Sequence, residues 1–133
     1  MALILCDSDF LIKATNDPLP SLALFLSECG YELATIERIK DELEGLSRSE
    51  NRPTARRAKN ALRSIYNGRV KLESNEKRTS SKTDADSLLI KFALENKEPV
   101  AIATMDHVLL SILERRKLSY LTLRNNRPFF RTE

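Results

Sequence analysis

Short apolar runs alternate along this chain with longer segments whose apolar residues recur at helical spacing. The runs 3–6 and 100–103 contain only apolar residues, which is typical of strands buried on both faces of a sheet. Segment 36–46 places apolar residues three or four positions apart, which predicts an amphipathic helix. Strands that alternate with helices predict an α/β fold, with a parallel sheet covered on both faces.

The same pattern divides the whole chain into elements. Gly30 is the predicted C-cap of one helix, and Thr35 is the predicted N-cap of the next. The predicted strands are 2–6, 31–34, 69–72, 100–103 and 119–123. The predicted helices are a short one after the first strand, 20–28, one over 36–46, one after Pro53, 84–96 and 107–117.

Length and composition are those of one soluble domain. The chain has 133 residues, of which 41% are hydrophobic, and we expect a single domain over 1–133. It contains no apolar run long enough for a membrane span and no signal-peptide pattern, so we expect a cytoplasmic protein that does not contact membranes. Cys6 lies in a predicted core strand and Cys29 near a predicted helix end, which favours buried small side chains over a disulfide or a zinc site.

Positive charge is concentrated in one part of the chain. The formal net charge is +3, but 48–82 contains 11 Lys and Arg against 3 Asp and Glu. Within it, Arg56, Lys59 and Arg63 share one face of the predicted helix after Pro53. A basic loop follows at about 74–82, and a basic tail spans about 124–133. Such surfaces are either solvated or bind an anionic partner.

Four acidic residues occupy positions in the predicted fold where they could form a cation site. Asp7 and Asp106 follow the two apolar strands, Asp86 lies in the first turn of a helix, and Glu42 lies beside the apolar stripe of another. Acids at the carboxyl ends of parallel strands face one crevice, where they recruit cations. Three of the four also have a structural explanation, because Asp106 is a plausible N-cap, Thr83 and Asp86 approximate a capping box, and Glu42 taken alone is an ordinary helix residue.

The sequence around these acids resembles the PIN-domain family of metal-dependent ribonucleases over nearly the whole chain. The resemblance lies in four motifs in family order: Asp7-Ser8 after a strand, Glu42-Leu43 in a helix, Asp84-Ala85-Asp86 before Leu88-Leu89, and Thr104-Met105-Asp106. It implies a three-layer α/β/α sandwich around a parallel sheet of about five strands. The chain departs from the family at Asp9, where many members have Asn, and at Ser87, where the branch that processes ribosomal RNA often has Asp.

The resemblance implies phosphodiester hydrolysis of RNA by a metal-activated water. Hard carboxylate oxygens suit Mg²⁺ or Mn²⁺, and no side-chain nucleophile is needed. The single histidine, His107, excludes a mechanism with a histidine pair and is a predicted surface residue. The metal ligands are then Asp7, Asp86 and Asp106, with Glu42 orienting or deprotonating the water. The supporting groups are Ser8, Asp9, Asp84 and Thr104.

RNA is the implied partner, held through its phosphates by the basic segments. The predicted contacts are Arg56, Lys59, Arg63, Lys77, Arg78, Lys82, Arg124 and Arg127. Tyr120, Phe129 and Phe130 either stack bases or pack in the fold, and packing is favoured for Tyr120. A VapC-type toxin would also bind an antitoxin, an RNA-processing factor would bind ribosome-assembly proteins, and either could form the homodimer seen among relatives.

Two other classes of protein are compatible with part of the pattern. A PIN-like module that binds RNA or protein without cutting would have lost acids, and the four acids argue against it. A phosphate-responsive receiver-type module also gathers acids at strand ends. It needs a lysine after a late strand, for which Lys117 and Arg124 are poor substitutes.

Overall fold

The computed structural model describes residues 2–73 and 84–132. The strands are β1 (Leu3–Cys6), β2 (Glu32–Ile36), β3 (Lys71–Glu73), β4 (Val100–Ala103), β5 (Tyr120–Arg124) and β6 (Arg127–Arg131). The helices are α1 (Ser8–Asn16), α2 (Pro20–Cys29), α3 (Glu37–Ser47), α4 (Arg52–Tyr66), α5 (Ala85–Glu95) and α6 (His107–Arg115).

The strands form one sheet in the order β3-β2-β1-β4-β5-β6. The first five strands pair in parallel, as the sequence predicts, and β1 lies between β2 and β4. Parallel strands end at the same edge, so the segments that follow β1 and β4 emerge side by side. This geometry brings Asp7 and Asp106 to one edge of the sheet.

Helices cover both faces of the sheet. All four residues of β1 are buried, which requires cover on each side of a central strand. At the β5–β6 end, Phe130 packs against Phe25 and Tyr31 beside α2, with ring centroids 5.4 and 5.2 Å apart. Tyr120 is buried on the other face, where its hydroxyl donates to Glu114 of α6 at 2.7 Å. The α/β class and the layered architecture are therefore confirmed.

The sixth strand was not expected. Asn125 and Asn126 both have positive φ, 52° and 63°, and they join β5 to β6 in a two-residue hairpin. The predicted basic tail is thus an antiparallel edge strand. Packing of Tyr120 is confirmed, and Phe130 is also a packing residue.

Two local predictions were wrong. Thr35 does not cap α3, because it is a buried residue within β2 and Ile36 is the N-cap. Cys29 is exposed at the end of α2, although Cys6 is buried as predicted. Thr35 pairs with Leu72 of β3 inside the sheet, which explains why it is covered.

The basic helix α4 is amphipathic in the predicted sense. Its buried side consists of Ala55, Ala58, Ala61, Leu62 and Ile65. Arg56, Lys59 and Arg63 are exposed on the opposite side. Asn51 caps the helix by accepting from the Thr54 amide at 3.1 Å. Across the described part of the chain, no helix is both long enough and apolar enough to pass through a bilayer.

Candidate active site

Asp7 lies at the carboxyl end of the central strand and is almost fully buried, with 9% of its surface exposed. It is the N-cap of α1, and its Oδ1 accepts from the Phe10 amide at 2.9 Å. Its Oδ2 accepts a short hydrogen bond from the Thr104 hydroxyl. The sequence did not predict this capping role, although an aspartate directly before a helical segment is a recognised signal.

Thr104 joins the ends of β1 and β4. Its buried Oγ1 donates to Asp7 and accepts from the Asp106 amide at 3.0 Å. Asp106 caps α6, and its Oδ1 accepts from the amides of Val108 at 2.8 Å and Leu109 at 3.4 Å. The capping role predicted for Asp106 is therefore confirmed. The Thr104 hydroxyl connects Asp106 to the buried Asp7.

The electrostatics of Asp7 and Asp86 show that the acidic cluster extends to α5. Burial raises the pKa of Asp7 to about 6, and the negative charges of Asp9 and Asp86 add to the rise, against the hydrogen bonds that lower it. Burial also raises the pKa of Asp86, followed by the charges of Asp106 and Asp84. Asp86 thus lies close enough to Asp7 and to Asp106, which come from two other segments, for its charge to interact with both.

Of the residues predicted to support the metal ligands, Asp84 caps a helix, whereas Ser8 and Asp9 lie in the first turn of α1. Asp84 is the N-cap of α5 and accepts from the Ser87 amide at 2.7 Å, and hydrogen bonding to Ser87 lowers its pKa. It therefore takes the capping role that the sequence had suggested for the Thr83–Asp86 pair, of which Thr83 lies outside the described residues. Asp9 is exposed in the first turn of α1, and Ser8 is the half-buried first residue of that helix.

The surroundings of Glu42 differ from those of Asp7 and Asp86. It is exposed on α3, and its charge is not among those that raise the pKa of Asp7 or Asp86. Arg38, one helical turn earlier on the same face, contributes to lowering the pKa of Asp84 at the start of α5. Because α3 also contacts α5, Glu42 lies on a helix that neighbours the one bearing Asp86.

The aspartates do not form a closed metal cage. Within residues 2–73 and 84–132, no three His, Cys, Asp or Glu side chains are arranged as a metal-binding group. Mg²⁺, however, takes one or two carboxylates together with waters and substrate phosphate oxygens. Each oxygen of Asp7 accepts one hydrogen bond and keeps a further lone pair. The donor set is thus chemically suited to a hard divalent ion with an open coordination sphere.

Two contacts near the site were missed by the sequence analysis. Thr35 of β2 donates to the Cys6 carbonyl at 2.9 Å and so holds the end of β1 just before Asp7. A threonine followed by a helical segment suggested a cap, and only the pairing of β2 with β1 reveals this role. The guanidinium of Arg124 lies 3.8 Å from the ring centroid of Phe129, a contact that depends on the unpredicted hairpin.

The predicted RNA contacts lie on two surfaces. Arg56, Lys59 and Arg63 are exposed on α4, and Arg124 and Arg127 are exposed at the β5–β6 turn. His107 is an exposed residue at the start of α6, as predicted. Lys77, Arg78 and Lys82 lie outside the described residues.

The fold and the acidic edge of its sheet define an α/β domain of a known kind. The solved structure of the PIN domain endonuclease Utp24 is similar to this chain with a TM-score of 0.70, and the likeness covers 98% of this chain and 92% of that one. The sequences are 18% identical, so the likeness is one of fold. No family model and no curated protein matches the sequence. The chain therefore has the PIN-domain fold, as the motif order implied.

Proposed function

We propose that this protein is a metal-dependent endoribonuclease that hydrolyses phosphodiester bonds. The observation that supports this most strongly is the electrostatic coupling of Asp7, Asp86 and Asp106 at one edge of the sheet. A buried carboxylate with a raised pKa beside other acids is unfavourable for a structural role alone. It is characteristic of sites that bind a cation or move a proton.

RNA is favoured over DNA by the resemblance to the PIN-domain family, and two further observations support a nucleic-acid substrate. A protein with the same fold is described as an endonuclease, Utp24. The exposed cations of α4 give this chain a surface for a phosphate backbone, with little capacity for base readout. A VapC-type toxin and an RNA-processing factor would both use this site, with an antitoxin or ribosome-assembly proteins as their respective partners.

The chain's own residues would divide the work as follows. Asp7, Asp86 and Asp106 would hold Mg²⁺ or Mn²⁺, which when bound supplies charge stabilisation to the phosphoryl group and makes a bound water more acidic. Thr104 would keep the Asp7 carboxylate oriented through the hydrogen bond that it donates. Asp9 and Asp84 would add negative charge around the ligands. Ser8 would complete the polar lining at the start of α1.

Glu42 would orient or deprotonate the attacking water. Its support is positional, because it shares a face of α3 with Arg38, whose charge acts on Asp84. Asp41 is its exposed neighbour on the same helix and offers a matched control. Glu42→Gln should lose cleavage while RNA binding is kept, and Asp41→Asn should change neither.

The experiment that tests the function measures cleavage of a labelled single-stranded RNA across a titration of Mg²⁺ and Mn²⁺, and again in EDTA. It is repeated with Asp7→Asn, Asp106→Asn and the control Asp41→Asn. We expect cleavage only with a divalent ion, loss of cleavage in the first two variants, and full activity in the control.

Two outcomes would contradict the proposal. Cleavage that survives both substitutions would show that the metal site lies elsewhere. Failure of the parent protein to cut RNA that it binds with a steep dependence on salt would favour a PIN-like module that binds without catalysis.

A further inference from the structure

A groove lies between α6 and β5. Alternate residues of β5, namely Tyr120, Thr122 and Arg124, line it, and in the antiparallel register Thr122 stands opposite Phe129. Glu114 of α6 lies on the other side. The groove has a volume of about 440 Å³, within the range of small-ligand sites.

One end of this groove adjoins the carboxylate cluster. Met105 and His107 both line it, and they are the two chain neighbours of Asp106. A strand of RNA with a phosphate at the aspartates would therefore have its next nucleotide at the mouth of the groove.

The charge of the groove favours a polyanion. Its acidic residue, Glu114, accepts from the Tyr120 hydroxyl at 2.7 Å and lies 3.6 Å from Arg131 in an ion pair. Arg124 is exposed, and Arg127 stands opposite it in the hairpin register. The acid inside is thus partnered, while Arg124 adds an exposed cation to the groove wall.

Arg124 also packs on an aromatic ring. Its guanidinium stacks over the Phe129 ring at 3.8 Å, and Phe129 in turn lies 6.3 Å from Tyr120 in a tilted ring contact. Phe129 remains 37% exposed, which is high for a large apolar side chain in a strand. A planar cation supported from one side by an aromatic ring presents its other side for stacking, and guanidinium planes and aromatic rings are the surfaces on which unpaired bases stack.

We propose that this groove is a base-stacking subsite for single-stranded RNA, with the guanidinium of Arg124 as its platform and the Phe129 ring as the support beneath it. It would receive the nucleotide adjacent to the scissile phosphate and would accept any base, because stacking does not read hydrogen-bonding edges. This inference rests on the proposed ribonuclease function and identifies the conformation of its substrate: a strand whose bases are free to leave a helix.

The test compares two labelled RNAs, one intact and one of the same length with abasic nucleotides, by fluorescence anisotropy in EDTA. The variants are Arg124→Lys, which keeps the charge but loses the plane, and Phe129→Leu. The control is Arg116→Gln, an exposed cation at the end of α6 that does not line the groove. Circular dichroism verifies that each variant is folded.

We expect each platform variant to weaken binding of intact RNA by about 5- to 50-fold. Binding of abasic RNA should change little, and the control should affect both RNAs alike and weakly. Equal loss of affinity for intact and abasic RNA would overturn the subsite, since only phosphate contacts would then be involved. So would unchanged RNA affinity in the platform variants, including the case in which they alter self-association measured by sedimentation.

Binding in EDTA is independent of cleavage, so the two proposals fail separately. Normal cleavage by the parent protein with unaltered binding by the platform variants would remove the subsite and leave the nuclease. A parent protein that never cuts RNA, but whose base-dependent binding requires Arg124 and Phe129, would leave the subsite and remove the nuclease.

Discussion

Asp7 and Asp106 are built alike and placed differently. Each follows a strand of the same parallel sheet, each caps the next helix, and Thr104 bonds to both residues. Asp7 is buried and has a pKa raised to about 6, whereas Asp106 is exposed to water. The comparison teaches that a capping aspartate acquires special electrostatics from its depth in the fold and from its acidic neighbours, since the local motif is the same.

The largest expected effect is on activity. Asp7→Asn should lower RNA cleavage by more than about 100-fold, because it removes a buried anionic oxygen that cation binding requires. Asp106→Asn should also lower it, but by a smaller factor, since an exposed ligand is more readily replaced by water. Single-turnover cleavage at saturating Mn²⁺ measures both. A larger loss of cleavage in Asp106→Asn than in Asp7→Asn would contradict this prediction.

Removing the link between the two aspartates should have the next largest effect. Thr104→Val deletes the hydrogen bond that lowers the pKa of Asp7, so the pKa should rise and the activity profile should move to higher pH. Cleavage at neutral pH should fall by about 10- to 100-fold. Thr104→Ser, which keeps the hydroxyl, is the control. A profile unmoved by the valine substitution would separate Thr104 from the site.

The Asp7 substitution, which should lower activity most, should raise the stability of the folded protein. Because the pKa of Asp7 is raised in the folded protein, its protonated form favours folding, and that contribution is present below about pH 4 and lost as the pH rises through about 6. Asp7→Asn, which keeps the capping oxygen, should therefore increase the free energy of unfolding by about 1–2 kcal/mol at pH 7.5. Near pH 4 the gain should vanish.

Asp106→Asn should leave the free energy of unfolding within about 0.5 kcal/mol at both pH values, since an asparagine also caps a helix. Urea unfolding at pH 4 and 7.5 gives all four values. A stabilised Asp106 variant, or an Asp7 variant with the same difference at both pH values, would contradict the assignment of the raised pKa to depth.

The smallest effect concerns the basic face of α4. Replacing Arg56, Lys59 and Arg63 of α4 together by glutamine should weaken RNA binding similarly for unrelated sequences and should make the slope of log affinity against log salt shallower. The activity at saturating RNA should be kept. Unchanged affinity and slope would make this face of α4 merely solvated.

Many features followed from local pattern alone. The apolar runs at 3–6 and 100–103 identified the central strands, because a strand covered on both faces has no polar side. Helical spacing identified both faces of α4. The order of four acidic motifs indicated the PIN-domain fold, and the Asp106 cap was readable from its position before a helix.

Other features could be decided only in three dimensions. Whether Thr35 caps a helix or bonds to the Cys6 carbonyl depends on the pairing of β2 with β1, two strands far apart in the chain. The depth of Asp7, and hence its pKa, depends on what packs around the end of β1. The contact between Arg124 and Phe129 depends on the β5–β6 hairpin, which forms because Asn125 and Asn126 both adopt positive φ. Hydrophobic period and capping signals are local properties of a chain, whereas burial, charge coupling and stacking arise between segments that only the folded sheet brings together.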